Sequence, residues 1–269
     1  MYSGSTLTAF SGRILGAHQK IDRVARRHLQ HLAPGTHFPG IRRILHFEGT
    51  NGPDGIKRKS PAKDEPWHFF QPFDDGDTGI LQLISGHYSS LVKALIAGDE
   101  VRAAFEAAWL SHAMVDGLTP AHQYPYEEKL TELRGSGNAS RTSLTKKLIL
   151  PGETRREQVA NNWKMWGPKG LMSMHGAFEW GVATVMLPTR LKVALPTEGD
   201  IKDFQTQDFA KWYRHVAQEI ASLGLYDEFH AHGWTTKLAR EVRRELAPRI
   251  VRSVTLAWYG ALYEARRGR

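Results

Sequence analysis

In WLSHAMVDGLTPAHQ, residues 109 to 123, the polar residues His112, Asp116 and His122 interrupt what otherwise reads as the end of a buried helix. Phe105, Trp109, His112 and Asp116 follow one another at one-turn spacings, so on a helix the two polar side chains extend a stripe begun by two aromatics and point inward. A carboxylate buried alone is costly, whereas a carboxylate and imidazoles that converge on a cation are compensated by its charge. A metal site is the first expectation. One His followed four residues later by an acid proves little, because 13 His and 28 acidic residues in 269 make about one or two such pairs a chance outcome. The sequence holds four: His18/Asp22, His112/Asp116, His175/Glu179 and His215/Glu219.

Taken in chain order, the candidates are His18 in GAHQKI, Asp54 in NGPDG, His68 in PWHFF, His112 and Asp116, His122 in TPAHQ, and His175 with Glu179 in MHGAFEWG. There is no Cys, so any metal must be held by imidazole and carboxylate. Asp64 competes with Asp54 for the loop position, and Asp54 is preferred because PDG places it in a turn. His215/Glu219 beside Lys211 and Arg214 reads as a solvated face, His230 and His232 as turn residues, and Asp74, Asp75 and Asp77 as an acidic loop, either solvated or calcium-binding.

This ordered set resembles the zinc-dependent phospholipase C family, which includes the bacterial phosphatidylcholine-hydrolysing enzymes and clostridial alpha-toxin. The resemblance rests on the His112, Asp116, His122 spacing, on His175/Glu179 downstream, and on His68 leading through aromatics to FDDGD, and it covers roughly residues 12 to 185. The related fungal single-strand nucleases share the helical fold and the metal cluster. The resemblance implies that Asp54, His68, His112 and Asp116 bind one zinc, that His122, His175 and Glu179 bind another, and that Asp116 bridges. His18 would belong to a third site, for two or three zinc ions in all, with Asp54 and Asp116 serving catalysis by activating a water against a phosphodiester. Two departures stand out. The family completes the third site with an N-terminal Trp shortly before the first His, and no Trp precedes His18 here. The family separates its fourth and fifth His by little more than a dozen residues, whereas His122 and His175 are 53 apart.

The elements that must position these residues read as helices. Apolar residues recur three or four apart over 12–33, 79–98, 99–117, 125–134, 154–165, 170–187, 204–223 and 234–267, with almost no strand alternation. Asp99 reads as an N-cap; Leu238, Val242, Leu246, Ile250, Val254 and Trp258 share one face of the last helix, which Pro248 is expected to kink. The expectation is an all-α multi-helix bundle with a metal cluster between helices, one domain over 1–269 with an insertion at about 124–170. The stretches 34–78 and 135–153, rich in Gly and Pro, read as loops, the first ordered by metal.

A chain of 269 residues with 41% hydrophobic content can bury a large core. No apolar run reads as a transmembrane segment and no secretory signal is visible, which gives a cytoplasmic default although the resembled family is mostly secreted. The net charge of +8 favours contact with phosphate groups. The leading reading is a metal-dependent phosphodiester hydrolase of phospholipase C type, acting on phospholipid or another phosphodiester with peripheral membrane contact. The alternatives are a nuclease of the same fold, with nucleic acid as partner, and a non-enzymatic helical binding protein with a vestigial metal site.

Overall fold

The computed structural model describes residues 16–48, 52–56, 69–135 and 143–268. Among these it is all-α, with no strand. The helices are α1 (Ala17–Leu32), α2 (Ile41–His46), α3 (Pro53–Ile56), α4 (Gly79–Ala97), α5 (Glu100–Gly117), α6 (Tyr126–Arg134), α7 (Leu144–Leu148), α8 (Arg155–Trp166), α9 (Leu171–Met186), α10 (Glu198–Thr206), α11 (Phe209–Ala221), α12 (Leu225–His232), α13 (Thr236–Glu241) and α14 (Ala247–Arg267).

α4 and α5 form an antiparallel hairpin set by local chemistry. Gly98 takes the left-handed conformation (φ 69°) that closes α4, and the Asp99 side chain accepts from the Arg102 amide to start α5, as its N-cap position predicts. α14 lies across α1, α4 and α5. Its expected apolar face, Leu238 through Trp258, is fully buried. Pro248 acts one turn upstream of itself: Val242–Leu246 forms a π turn, because a proline has no amide to donate back and its ring crowds the preceding turn. Among the described residues, α4 alone has the length and apolar content to cross a membrane, and its Ile80, Ile84, Leu91 and Leu95 stripe is buried in the bundle.

Several boundaries differ from the sequence reading, among them α7, which falls inside the stretch 135–153 read as a loop. The single helix expected over 204–223 is two, because Asp208 caps a fresh start at α11 through the Lys211 amide. His230 and His232 lie in the last turn of α12 rather than in a turn. The 34–78 stretch contains α2 and α3, too short to show periodicity. Its acidic end is tied down by protein: Arg214 donates to the carbonyls of Pro72, Asp74 and Asp77, and the Gln71 amide donates to the Asp77 carboxylate.

The segment between His122 and His175 builds a small core of its own from Tyr126, Leu130, Leu150 and Met165, against which Phe69, Leu171 and Met172 pack. It joins the main bundle along α9, on which α8 lies.

Candidate metal centre

α5 delivers His112 and Asp116 one turn apart, both with side chains only 2% exposed. The end of α5 is held by α11. The Tyr213 hydroxyl donates to the Met114 carbonyl at 2.9 Å, and a side chain on Gly117 would collide with that hydroxyl, so only glycine fits. The chain then leaves the helix because Pro120 forces Thr119 into the extended region (φ −86°, ψ 120°). The resulting 3-10 turn, Pro120–His122, brings His122 back beneath Asp116, with its carbonyl fixed by the Phe70 amide at 3.1 Å.

α1 contributes His18 and α9 contributes His175 and Glu179. α9 is pressed against Trp234, whose indole donates to the Ala177 carbonyl at 3.1 Å and covers Gly181 so closely that a Cβ there would overlap the ring. α3 places Asp54 near His112. Gly52 approaches the Glu48 backbone more closely than any side chain would permit, and so folds Glu48 and Asp54 onto the same neighbourhood.

These side chains meet. His18 Nε2 is 3.3 Å from Asp116 Oδ1, His112 Nε2 is 3.3 Å from Asp116 Oδ2, and His112 Nε2 is 3.8 Å from Asp54 Oδ1. On the other side His122 Nδ1 is 3.8 Å from Asp116 Oδ1, His175 Nε2 is 3.3 Å from Glu179 Oε1, and His122 Nε2 is 2.7 Å from the same oxygen. The rings pair as well: His18 stacks on His112 at 4.2 Å and His122 on His175 at 4.9 Å. Asp116 thus faces both halves, one oxygen toward His112 and the other toward His18 and His122. His68 lies outside the described residues, as does Asp64; Phe69, the next residue, stacks on Tyr126 and lies 5.5 Å from the His122 ring.

Glu48 is the residue that the sequence reading missed. It is 1% exposed, and its Oε1 lies 2.9 Å from His112 Nδ1 and 3.6 Å from His18 Nδ1. Glu48, His18 and His112 offer atoms close enough to share an ion. Ring orientation favours a different part for Glu48: both Nδ1 atoms face it while both Nε2 atoms face Asp116. At 2.9 Å Glu48 accepts from His112 Nδ1, which fixes that ring's tautomer and aims its Nε2 forward, while at 3.6 Å from His18 Nδ1 it acts by charge alone. Behind it, Asp22 is fully buried and takes the Ser111 hydroxyl. The Asp22 of the His18/Asp22 pair therefore belongs to the supporting layer.

Does the donor set fit a metal? Two atoms bonded to one tetrahedral zinc at about 2.0 to 2.1 Å stand about 3.3 to 3.4 Å apart. Three of the imidazole–carboxylate separations are 3.3 Å, longer than the roughly 2.7 to 2.9 Å of a charge-assisted hydrogen bond. They match the edge of a coordination tetrahedron better than a set of ion pairs. The second cluster, His122, His175 and Glu179, likewise has all its donor atoms within 4.8 Å of one another. The residues fit.

The electrostatics agree. Burial would push the His112 imidazole down, but the charges of Glu48 and Asp116 outweigh it and hold it well above the usual value, so without a metal this place draws a proton. Burial and the Glu48 charge push the Asp22 carboxyl well up. Burial pushes the His122 imidazole down to about 4, against the opposite pull of Asp116 and Glu179, which leaves it neutral and able to ligate. Burial also opposes the charge on Glu179, yet His175 and the hydrogen bond from His122 help to hold its carboxyl well below the usual range. Solvent reaches the outer members of the centre more than the inner ones: the Asp54, His175 and Glu179 side chains are 12 to 15% exposed, against 1 to 2% for His18, His112 and Asp116.

His215/Glu219, the fourth spaced pair, sits 3.6 Å apart on the surface, 64% and 50% exposed, far less enclosed than the centre. Compared with protein-family models, with curated proteins and with solved structures, the chain matches none of them.

Proposed function

We propose that the protein is a metal-dependent phosphodiester hydrolase with a multinuclear zinc centre, of the phospholipase C type and fold that its ligand order resembles. The observation that carries this reading is Asp116, whose Oδ2 lies 3.3 Å from His112 Nε2 and whose Oδ1 lies 3.3 Å from His18 Nε2 and 3.8 Å from His122 Nδ1, so that it faces both groups of imidazoles. Zinc suits a nitrogen and oxygen donor set without thiolate. The His112 half takes Asp54, Asp116 and, from the resemblance, His68; the other half takes His122, His175 and Glu179; His18 lies beside Asp116 where a third ion would be held. Metals at such a site would lower the pKa of a bound water and stabilise charge on the phosphoryl oxygens of an in-line displacement.

The chain's own groups supply the rest. Asp116 holds the halves at a fixed distance, and Glu48 keeps the His112 ring turned toward it. Asp54, at the solvent edge, is placed to accept the proton of an attacking water. Burial of the inner ligands keeps bulk water away from everything but that edge, and electrostatic interactions are strongest where water is excluded.

A nuclease of the same fold is the second reading, favoured by Trp163 and Trp166, which stand exposed among basic residues on α8. Elemental analysis of protein purified without chelator, followed by turnover of a phosphocholine diester, a simple aryl phosphodiester and single-stranded DNA, tests both. Expected are at least two zinc ions per chain and hydrolysis of a diester that chelator abolishes. Less than one metal per chain after zinc is supplied overturns the proposal, and hydrolysis of DNA alone selects the nuclease.

A further inference from the structure

The segment between His122 and His175 has an outer face that its own core does not explain. Met165 of α8 turns inward and is buried, while Val159, Trp163 and Trp166, four and then three residues apart, form a stripe on the outside. Trp163 is 67% exposed and Trp166 is 42% exposed. Leu148 and Ile149 extend this stripe from α7, both about half exposed, and they are pinned there: the Trp166 indole donates to the Leu148 carbonyl at 2.7 Å, and the Asn162 amide pairs with both backbone groups of Leu150 at 3.0 Å. The hydrogen bonds hold the apolar side chains outward on a built platform.

Charge around the platform is mostly positive. Residues 143–169 contain six Lys or Arg against two Glu, a net +4. Arg155, Arg156, Lys164 and Lys169 are all exposed beside the stripe. We infer that this face is a docking surface for an anionic phospholipid bilayer. Trp belongs where water meets hydrocarbon, aliphatic side chains insert below it, and flanking cations meet lipid phosphates and carboxylates. Single-stranded nucleic acid fits less well, since Leu148, Ile149 and Val159 have no flat face on which a base can stack. A second copy of the chain would set +4 against +4.

The platform is also next to the centre. α8 packs on α9, the helix of His175 and Glu179, and Tyr126 of the small core lies 5.5 Å from the His175 ring. A bilayer held there is brought to the segment that abuts the helix of His175 and Glu179. The purpose of the docking rests on the phosphodiesterase reading; the docking itself is a separate event with its own measurement.

The test is co-sedimentation of the zinc-supplied full chain with vesicles of phosphatidylcholine alone and of phosphatidylcholine with phosphatidylserine, with Trp emission read in parallel. Expected is binding to the anionic vesicles at least about tenfold tighter than to neutral ones, weakened by salt, with blue-shifted emission. Val159→Ser together with Trp163→Ser should weaken that binding at least about tenfold, with circular dichroism unchanged, while Val193→Ser, an equally exposed site outside the segment, keeps it. Arg156→Glu with Lys164→Glu should abolish the preference for anionic lipid. Turnover of a water-soluble aryl phosphodiester should be unchanged in all three variants, so failure of the phosphodiesterase reading shows in turnover and failure of docking shows in sedimentation. The inference is overturned if anionic vesicles do not bind, if the Val159/Trp163 variant binds them as the parent does, or if single-stranded DNA binds tighter than vesicles and loses its binding in that variant.

Discussion

Replacing Glu48 with Gln separates orientation of the ligands from ligation itself. Gln keeps the size and still accepts a hydrogen bond, but it removes the charge that lies 2.9 Å from His112 Nδ1. The His18 contact at 3.6 Å is too long for a full hydrogen bond, so one imidazole, not two, loses its carboxylate partner. Removing such an outer partner weakens metal affinity about 10- to 100-fold, or about 1.4 to 2.7 kcal/mol. In metal-free protein the charge of Glu48 acts both ways: it raises the buried Asp22 carboxyl, and it helps to hold a proton on His112. Chelator competition should give a weaker zinc constant for Glu48→Gln with unchanged stoichiometry, and thermal melts should show a smaller zinc-induced rise in Tm than for the parent. An unchanged zinc constant refutes the orienting role. Loss of a whole ion per chain refutes it differently, by making Glu48 a ligand.

Asp116→Asn should strip metal from both halves and abolish phosphodiester turnover, whereas His215→Ala, on an exposed surface, should alter neither; metal counts and turnover on the two variants decide this. Chelator should lower the Tm of the parent protein, because ions that bind only the folded state stabilise it by mass action; a melt unchanged after verified metal removal counts against the centre. Gly181→Ala pushes a methyl into the Trp234 ring and should destabilise the fold by about 1 to 3 kcal/mol, read by urea titration. In metal-free protein, His122 is held at about 4, below its unfolded value of about 6.5, so the unfolded chain takes up the proton first. The stability it contributes is present above pH ~6.5 and is lost as pH falls toward about 4; His122→Gln should flatten the urea-measured slope in that window.

Much of the scaffold was readable because helix periodicity and caps are local. α4, α5, α8 and α9 begin and end within a few residues of their apolar patterns, and Asp99 caps where its type predicts. The i,i+4 pairs at 112/116 and 175/179 were readable for the same reason, since one turn of helix fixes their mutual reach. The same pattern fails to rank the other two. His215/Glu219 stays at the surface and Asp22 backs the centre through Ser111, and only tertiary packing distinguishes those outcomes. Glu48 had no local signal: it follows a six-residue helix in a Gly-rich stretch, and its partners are 30 and 64 residues away. The convergence of His122 with Glu179 across 57 residues was expected only from the ligand order of the resembled family, and their separation departs from its spacing.

That convergence has an entropic side. His122 and Glu179 touch across 57 residues of chain. Closing a flexible loop of that length costs about 3.6 kcal/mol, only about 1 kcal/mol more than a connection of about 15 residues, because the penalty grows with the logarithm of length. The small core of Tyr126, Leu130, Leu150 and Met165 offsets a difference of that size with the burial of a single large side chain. The ligands around the centre therefore set almost no limit on what the chain between them carries, and this loop is free to lengthen, shorten or change its outer face while the geometry at its two ends stays fixed.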